Sequence, residues 1–201
     1  MRPSSLKKRQ RYLEVATELF LEQGYESTGL DQIIERCGGS KLTLYNYFGD
    51  KQGLLKAVVR GLTESLETLV QFESTNEDTL ENQLQTFAFN YLKLVNSPDM
   101  LRLTRLIMSQ QQHHPELVEY FLDCTASYSQ KSLTLFFEQQ KQAGRLSIDD
   151  VDMASDQFLG ALKGNRFIIG LLSNKNHMSE DAMKSYAEYT VKGFLMMTEK
   201  R

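Results

Sequence analysis

Gly38-Gly39-Ser40-Lys41-Leu42-Thr43-Leu44-Tyr45-Asn46-Tyr47-Phe48-Gly49-Asp50-Lys51 decides the fold. A glycine pair breaks one helix, and Ser40 caps the next by offering its hydroxyl oxygen to an orphan backbone N–H. That helix runs to about Tyr47, and Asp50 caps another starting at Lys51. Leu44 and Phe48, four residues apart, share one edge suited to packing. The other side chains are a cation, a hydroxyl, two phenols and an amide, types that meet phosphates and base edges. Working outward, Leu30 to Cys37 reads as a short helix with Leu30, Ile33 and Ile34 inward. Before it, Tyr12, Val15, Ala16, Leu19 and Phe20 mark one buried stripe on a longer helix that stops at Gly24. Two short helices on a glycine turn, braced by a longer one, make a helix-turn-helix.

The rest of the chain carries the same periodicity. Leucine outnumbers valine plus isoleucine by 29 to 14, and the three prolines, Pro3, Pro98 and Pro115, leave long uninterrupted stretches, which favours helix over strand. A fourth helix is expected from Lys51 to about Phe72, and Leu80, Leu84, Phe87, Tyr91 and Leu94 mark a fifth. Ser97-Pro98-Asp99 opens one ending near Gln111, and His114-Pro115-Glu116 opens one running, kinked or straight, to Ala143. Asp149 and Ser179 begin the last two. The expected architecture is all-α, with nine helices, a head over residues 1–50 and a larger helical domain over 51–201.

Charge follows a similar division. The net charge of -3 conceals ten Lys/Arg and seven Asp/Glu in residues 1–60, net +3, and a net -6 beyond. Five of the early cations, Arg2, Lys7, Lys8, Arg9 and Arg11, form a basic arm. The longest apolar run, Phe167 to Leu172, is far short of a membrane span, and the N-terminus lacks the apolar stretch of a secretory signal, so a cytoplasmic protein is expected. Cys37 and Cys124 cannot build a disulfide framework or a four-ligand zinc site. His113, His114 and Glu116 make at most a partial metal site, and no phosphate loop or catalytic constellation stands out. Neither an enzyme nor a resident metal or cofactor is expected. A structural helical adapter is the competing class; it requires Tyr45, Tyr47 and Lys51 to be a coincidental solvated face.

The last two helices are apolar on more than one side. In the eighth, Ala154, Phe158, Ala161, Asn165 and Ile168 form one stripe, with Met153, Leu159, Leu162 and Ile169 elsewhere; in the ninth, Met183, Tyr186, Thr190, Phe194 and Met197 share a face and Ala182, Tyr189, Gly193 and Met196 another. Such helices bury both sides, either as a hairpin inside a monomer or against a second copy in an isologous four-helix dimer. Phe158, Leu162, Ile169, Tyr186, Tyr189, Phe194 and Met197 are the candidate dimer residues. Met108, Phe121, Tyr128, Phe136, Phe137, Asn165 and Phe167 have the aromatic, soft and occasionally polar character of a pocket for an apolar ligand.

The run Ala16 to Thr28, the segment Leu30-Asp31-Gln32-Ile33-Ile34, and Gly38 to Lys51 resemble, in order and nearly without gaps over residues 9–59, the DNA-binding region of the TetR family of bacterial repressors. Leu101-Arg102-Leu103, His114-Pro115-Glu116-Leu117 and Gln157-Phe158-Leu159-Gly160 resemble the effector domain of its AefR-like branch. The resemblance implies a homodimer that binds double-stranded operator DNA, pairs through its last two helices and is released by a small apolar effector. It implies that Lys41, Leu42 and Thr43 face bases, Tyr45, Asn46 and Tyr47 bases or phosphate, and Thr28 and Lys51 phosphate, with Leu44 and Phe48 packing only. Three positions depart from the family pattern. Gly29 replaces a Ser/Thr cap, Gly39 an aliphatic residue in the turn, and Leu42 a small residue at the DNA face, where it either blocks close approach or meets a thymine methyl.

Overall fold

The computed structural model describes residues 3–69, 79–173 and 178–198. Ten helices occur among them: α1 (Pro3–Gln23), α2 (Leu30–Cys37), α3 (Lys41–Phe48), α4 (Lys51–Leu69), α5 (Leu80–Val95), α6 (Pro98–Met108), α7 (Pro115–Cys124), α8 (Ala126–Gln142), α9 (Val151–Leu172) and α10 (Glu180–Thr198). Only Thr125 interrupts α7 and α8; counted as one broken element they return the nine helices expected. Phe72 and His177 lie outside the described residues. The penultimate helix is capped by Asp150, which accepts from the Met153 N–H (2.9 Å), so it begins one residue later than Asp149 suggested.

The chain divides into two compact units. The first comprises residues 1–63 with 102–124, the second 64–101 with 125–201. The start of α4 stays with the head because Leu54, Leu55, Val58 and Val59 are all buried. Stretch 102–124 belongs there too: Gln52 on α4 bonds His114 and Glu116, and the Lys56 ammonium lies 5.6 Å over the Tyr120 ring. Within this unit α1 packs on α2 and α2 on α3. Tyr12, Val15, Ala16, Leu19 and Phe20 of α1 are buried as their spacing requires, whereas on α2 only Ile33 is fully covered.

In the second unit α5 packs along α10, α8 along α9, and α9 touches both α5 and α10. Its centre is aromatic. Phe137 stacks on Phe194 at 4.8 Å, and Phe158 meets Phe194 edge-on at 5.0 Å and Phe87 at 6.4 Å. Such pairs add about 0.5–1.5 kcal/mol each beyond their area burial. Helix α9 is broken at Gly164 (φ +50°, ψ -165°), a left-handed angle that favours glycine. The Tyr186 hydroxyl enters the break and donates to the Ala161 carbonyl at 2.8 Å, satisfying backbone that a helix break exposes.

Candidate nucleic-acid interface

Ser40 starts α3, its hydroxyl accepting from the Thr43 N–H (3.2 Å) and lying 2.9 Å from the Thr43 hydroxyl. Leu44 and Phe48 turn inward and are buried, with the Arg9 guanidinium 5.1 Å over the Phe48 ring. Burying that edge exposes the opposite face, Lys41, Leu42, Tyr45 and Asn46, with Leu42 70% exposed. Ion pairs fix the short helices to one another: Arg36 of α2 reaches both carboxylate oxygens of Glu18 on α1 at 2.8 Å, and Lys41 of α3 pairs with Asp31 of α2 at 2.9 Å.

Helix α4 begins beside this face. Asp50 accepts from the Gly53 N–H (2.7 Å), and the Lys51 ammonium sits 4.4 Å over the Tyr25 ring and 3.4 Å from the Glu26 carbonyl. Burial, helped by Asp50, Glu26 and Glu116, pushes the Tyr25 phenol up to about 12, so Lys51 faces a neutral ring. Burial also lowers the Lys51 pKa, with Glu26 opposing. On the far side of Tyr25, His114 packs edge-on at 5.2 Å. The Gln52 amide lies 2.8 Å from His114 Nδ1 and donates to Glu116 (2.7 Å). His114 Nε2 lies 3.8 Å from Glu26.

Known proteins match both parts of the chain. Residues 13–58 match the model for bacterial regulatory proteins of the tetR family, and residues 82–197 match the C-terminal domain of AefR-like transcriptional repressors. The chain belongs to the tetR family. It is a helix-turn-helix transcriptional regulator. Among curated relatives of this tetR-family chain, the uncharacterised regulator YezE of Bacillus subtilis is 24% identical over 149 residues, 71% of this chain and 75% of YezE. Other curated relatives are matched over shorter spans, in one case 41% of the relative's length. The flavonoid-responsive regulator FrrA is 28% identical, with a TM-score of 0.82 over 97% of this chain and 98% of FrrA. A TetR-family regulator from Mesorhizobium loti shares the fold, with a TM-score of 0.85, 22% identity and coverage of 99% and 100%.

Against this tetR-family frame, Thr28 departs from its expected phosphate role. It is fully buried, and its hydroxyl donates to the Leu19 and Gly24 carbonyls (3.2 and 2.8 Å), so it braces the α1–α2 turn. Tyr47 is half-buried, its hydroxyl 2.9 Å from that of Ser5. Lys41, Leu42, Thr43, Tyr45 and Asn46 share the outward side of α3, with Lys51 at the start of the next helix. Periodicity and spacing carry no signal for the link from Gln52 to His114, which lie 62 residues apart. A Lys41 that turns to DNA gives up its pair with Asp31, and an exposed pair of this kind is worth about 0–1 kcal/mol. Asp31→Asn is therefore expected to tighten DNA binding by about two- to fivefold at low salt, an advantage that a titration should show shrinking as salt rises.

The seven candidate pocket residues fall in both units. Met108 is 62% exposed, and Phe121 is buried in the first unit. Phe136 and Phe137 are core residues of the second unit, with Tyr128 and Phe167 packed against that core. Only Asn165 lines the groove of about 610 Å³ between α9 and α10, with Gln157, Ala161, Tyr186, Tyr189 and Met197 among its walls. The candidate dimer residues divide as well. Phe158, Leu162 and Phe194 are buried in the aromatic core. Ile169, Tyr189 and Met197 are exposed, and Tyr186 is partly covered by its bond to Ala161.

Proposed function

We propose that this regulator represses transcription as a homodimer whose two α3 helices enter successive major grooves of a palindromic operator, and that a small apolar effector releases it. The outward face of α3, with Lys41, Leu42, Thr43, Tyr45 and Asn46 beside the Lys51 end of α4, carries this proposal. Two heads on one dimer read half-sites about 34–36 Å apart. Lys51 serves a phosphate by charge and by its place at a helix N-terminus. Leu42 suits a thymine methyl. Repression is supported by the AefR-like repressor match over 82–197, and release by an apolar, aromatic effector by the likeness to flavonoid-responsive FrrA. Dimerisation is supported by the exposed apolar residues of α9 and α10. No helix among the described residues is long and apolar enough to cross a membrane, consistent with action on cytoplasmic DNA. Effector and operator then weaken each other reciprocally.

Binding to a duplex from upstream of the protein's own gene, titrated against salt, tests this. Steep salt dependence is expected, with Lys51→Ala weakening all sequences about equally and reducing the salt slope by about one, while Thr43→Ala changes base preference. Failure to bind any palindrome at low salt, or an exchange of those two phenotypes, overturns the proposal.

A further inference from the structure

The turn between α2 and α3 contains a glycine that is needed for space and not for its backbone angle. Gly39 lies outside the left-handed region that its neighbour Gly38 occupies (φ +63°). A Cβ at Gly39 would land on the Tyr12 hydroxyl, with Tyr12 Cζ at 3.2 Å and Lys8 Cε at 3.3 Å. Tyr12 has nowhere to withdraw. It is fully buried, and its ring lies 6.3 Å from that of Tyr47 on α3. Burial also raises its pKa, which keeps the phenol neutral. Ser5, two helical turns before Tyr12 on the same face of α1, lies 2.9 Å from the Tyr47 hydroxyl. Helix α1 thus supports α3 at both ends, through Tyr12 beneath the turn that leads into it and through Ser5 at its last turn. Gly39 and Tyr12 form one arrangement, a phenol seated where the Cβ of any other residue at position 39 would stand.

We propose that Tyr12 is a positioning residue for DNA recognition, its phenol seated in the space left by Gly39 and setting the angle at which α3 presents Lys41, Leu42 and Thr43 to base edges. This rests on α3 being the reading helix. The probe is a duplex selected by the wild-type protein from a randomised palindromic pool, and the variants are Gly39→Ala, Tyr12→Phe and the double substitution. Gly39→Ala is expected to lower affinity about tenfold and shift the selected bases, with helix content and salt slope unchanged because phosphate contacts persist. Adding Tyr12→Phe removes the obstructing oxygen and should restore affinity to within about threefold, the coupling that a double-mutant cycle isolates. Tyr12→Phe alone adds no atom, so it tests the idea even if Gly39→Ala folds poorly; a loss of about two- to threefold in discrimination is expected. Unchanged selection by Tyr12→Phe, or a double variant no better than a folded Gly39→Ala, overturns the proposal. A wild-type protein that selects no DNA overturns instead the assignment of α3 as the reading helix.

Discussion

Replacing Tyr189 and Met197 together by glutamate is expected to turn the protein into a monomer and to lower operator affinity by about two to three orders of magnitude, the avidity lost when two linked heads bind separately. Both side chains lie on α10, 80% and 78% exposed, and both line the groove against α9. Leu172, Ile168, Ile169 and Met196 are also exposed on these two helices, so water meets a broad apolar surface. A two-fold interface presents every substitution twice. Two glutamates per copy therefore put four carboxylates into one apolar contact, where desolvation and mutual repulsion both oppose pairing. The folded protomer should tolerate the change, because neither residue is part of the core centred on Phe137, Phe158 and Phe194. Leu135→Glu, a new charge on exposed α8, serves as a control that should leave assembly intact. Sedimentation at micromolar concentration and operator titration read the two effects. A double variant that stays dimeric would remove α9 and α10 from the assembly, and a monomer that binds the full operator as tightly as the native protein would overturn the avidity.

That same surface shows where the sequence was legible and where it was not. Helix starts were readable because a cap is a local bond: Ser40 to Thr43 and Ser179 to Ala182 each span three residues. The stripe from Tyr12 to Phe20 was readable because one straight helix has one period. Helix α9 defeated that logic. It buries Phe158, Leu159 and Leu162 but leaves Met153, Ile168, Ile169 and Leu172 exposed, so apolar residues on several sides of one helix do not all pack inside the protomer. Spacing does not separate Phe158 and Leu162, which fill the core, from the exposed ones. Thr28 was assigned to phosphate by the family resemblance alone, and its hydroxyl bonds back to the Gly24 carbonyl four residues earlier. The links from Gln52 to His114 and from Tyr12 to Gly39 join residues far apart in the chain, and periodicity carries no information about them.

Two glycines on α4, Gly53 and Gly61, make the sharpest use of such contacts, because the same substitution should have opposite signs about two turns apart on one helix. A Cβ at Gly53 would fall on the Phe48 carbonyl oxygen, a backbone atom with little freedom to retreat. Phe48 is buried under the Arg9 guanidinium, and the next residue closes α3 through a bond from the Gly49 N–H to the Tyr45 carbonyl (2.8 Å). The Gly53 N–H is itself held by Asp50 at 2.7 Å, so the glycine cannot move away without losing the cap of α4. Overpacking costs about 1–3 kcal/mol, and loss of a cap about 1 more. The propensity gain of alanine over glycine, about 0.5–1 kcal/mol, offsets only part of this. Gly53→Ala should therefore destabilise the protein by about 1–3 kcal/mol and, by prising α3 from the start of α4, cost at least about tenfold in operator affinity. At Gly61 the added methyl meets only the Leu13 Cδ2 at 3.6 Å, ordinary contact distance. Gly61→Ala should stabilise by about 0.4–1 kcal/mol and leave the operator affinity unchanged. Urea unfolding followed by operator titration measures both. Equal shifts in the two variants, or a stabilised Gly53→Ala, would mean that the α3–α4 corner is not held as tightly as its bonds indicate, and that Lys41 and Lys51 are not presented to DNA as one fixed set.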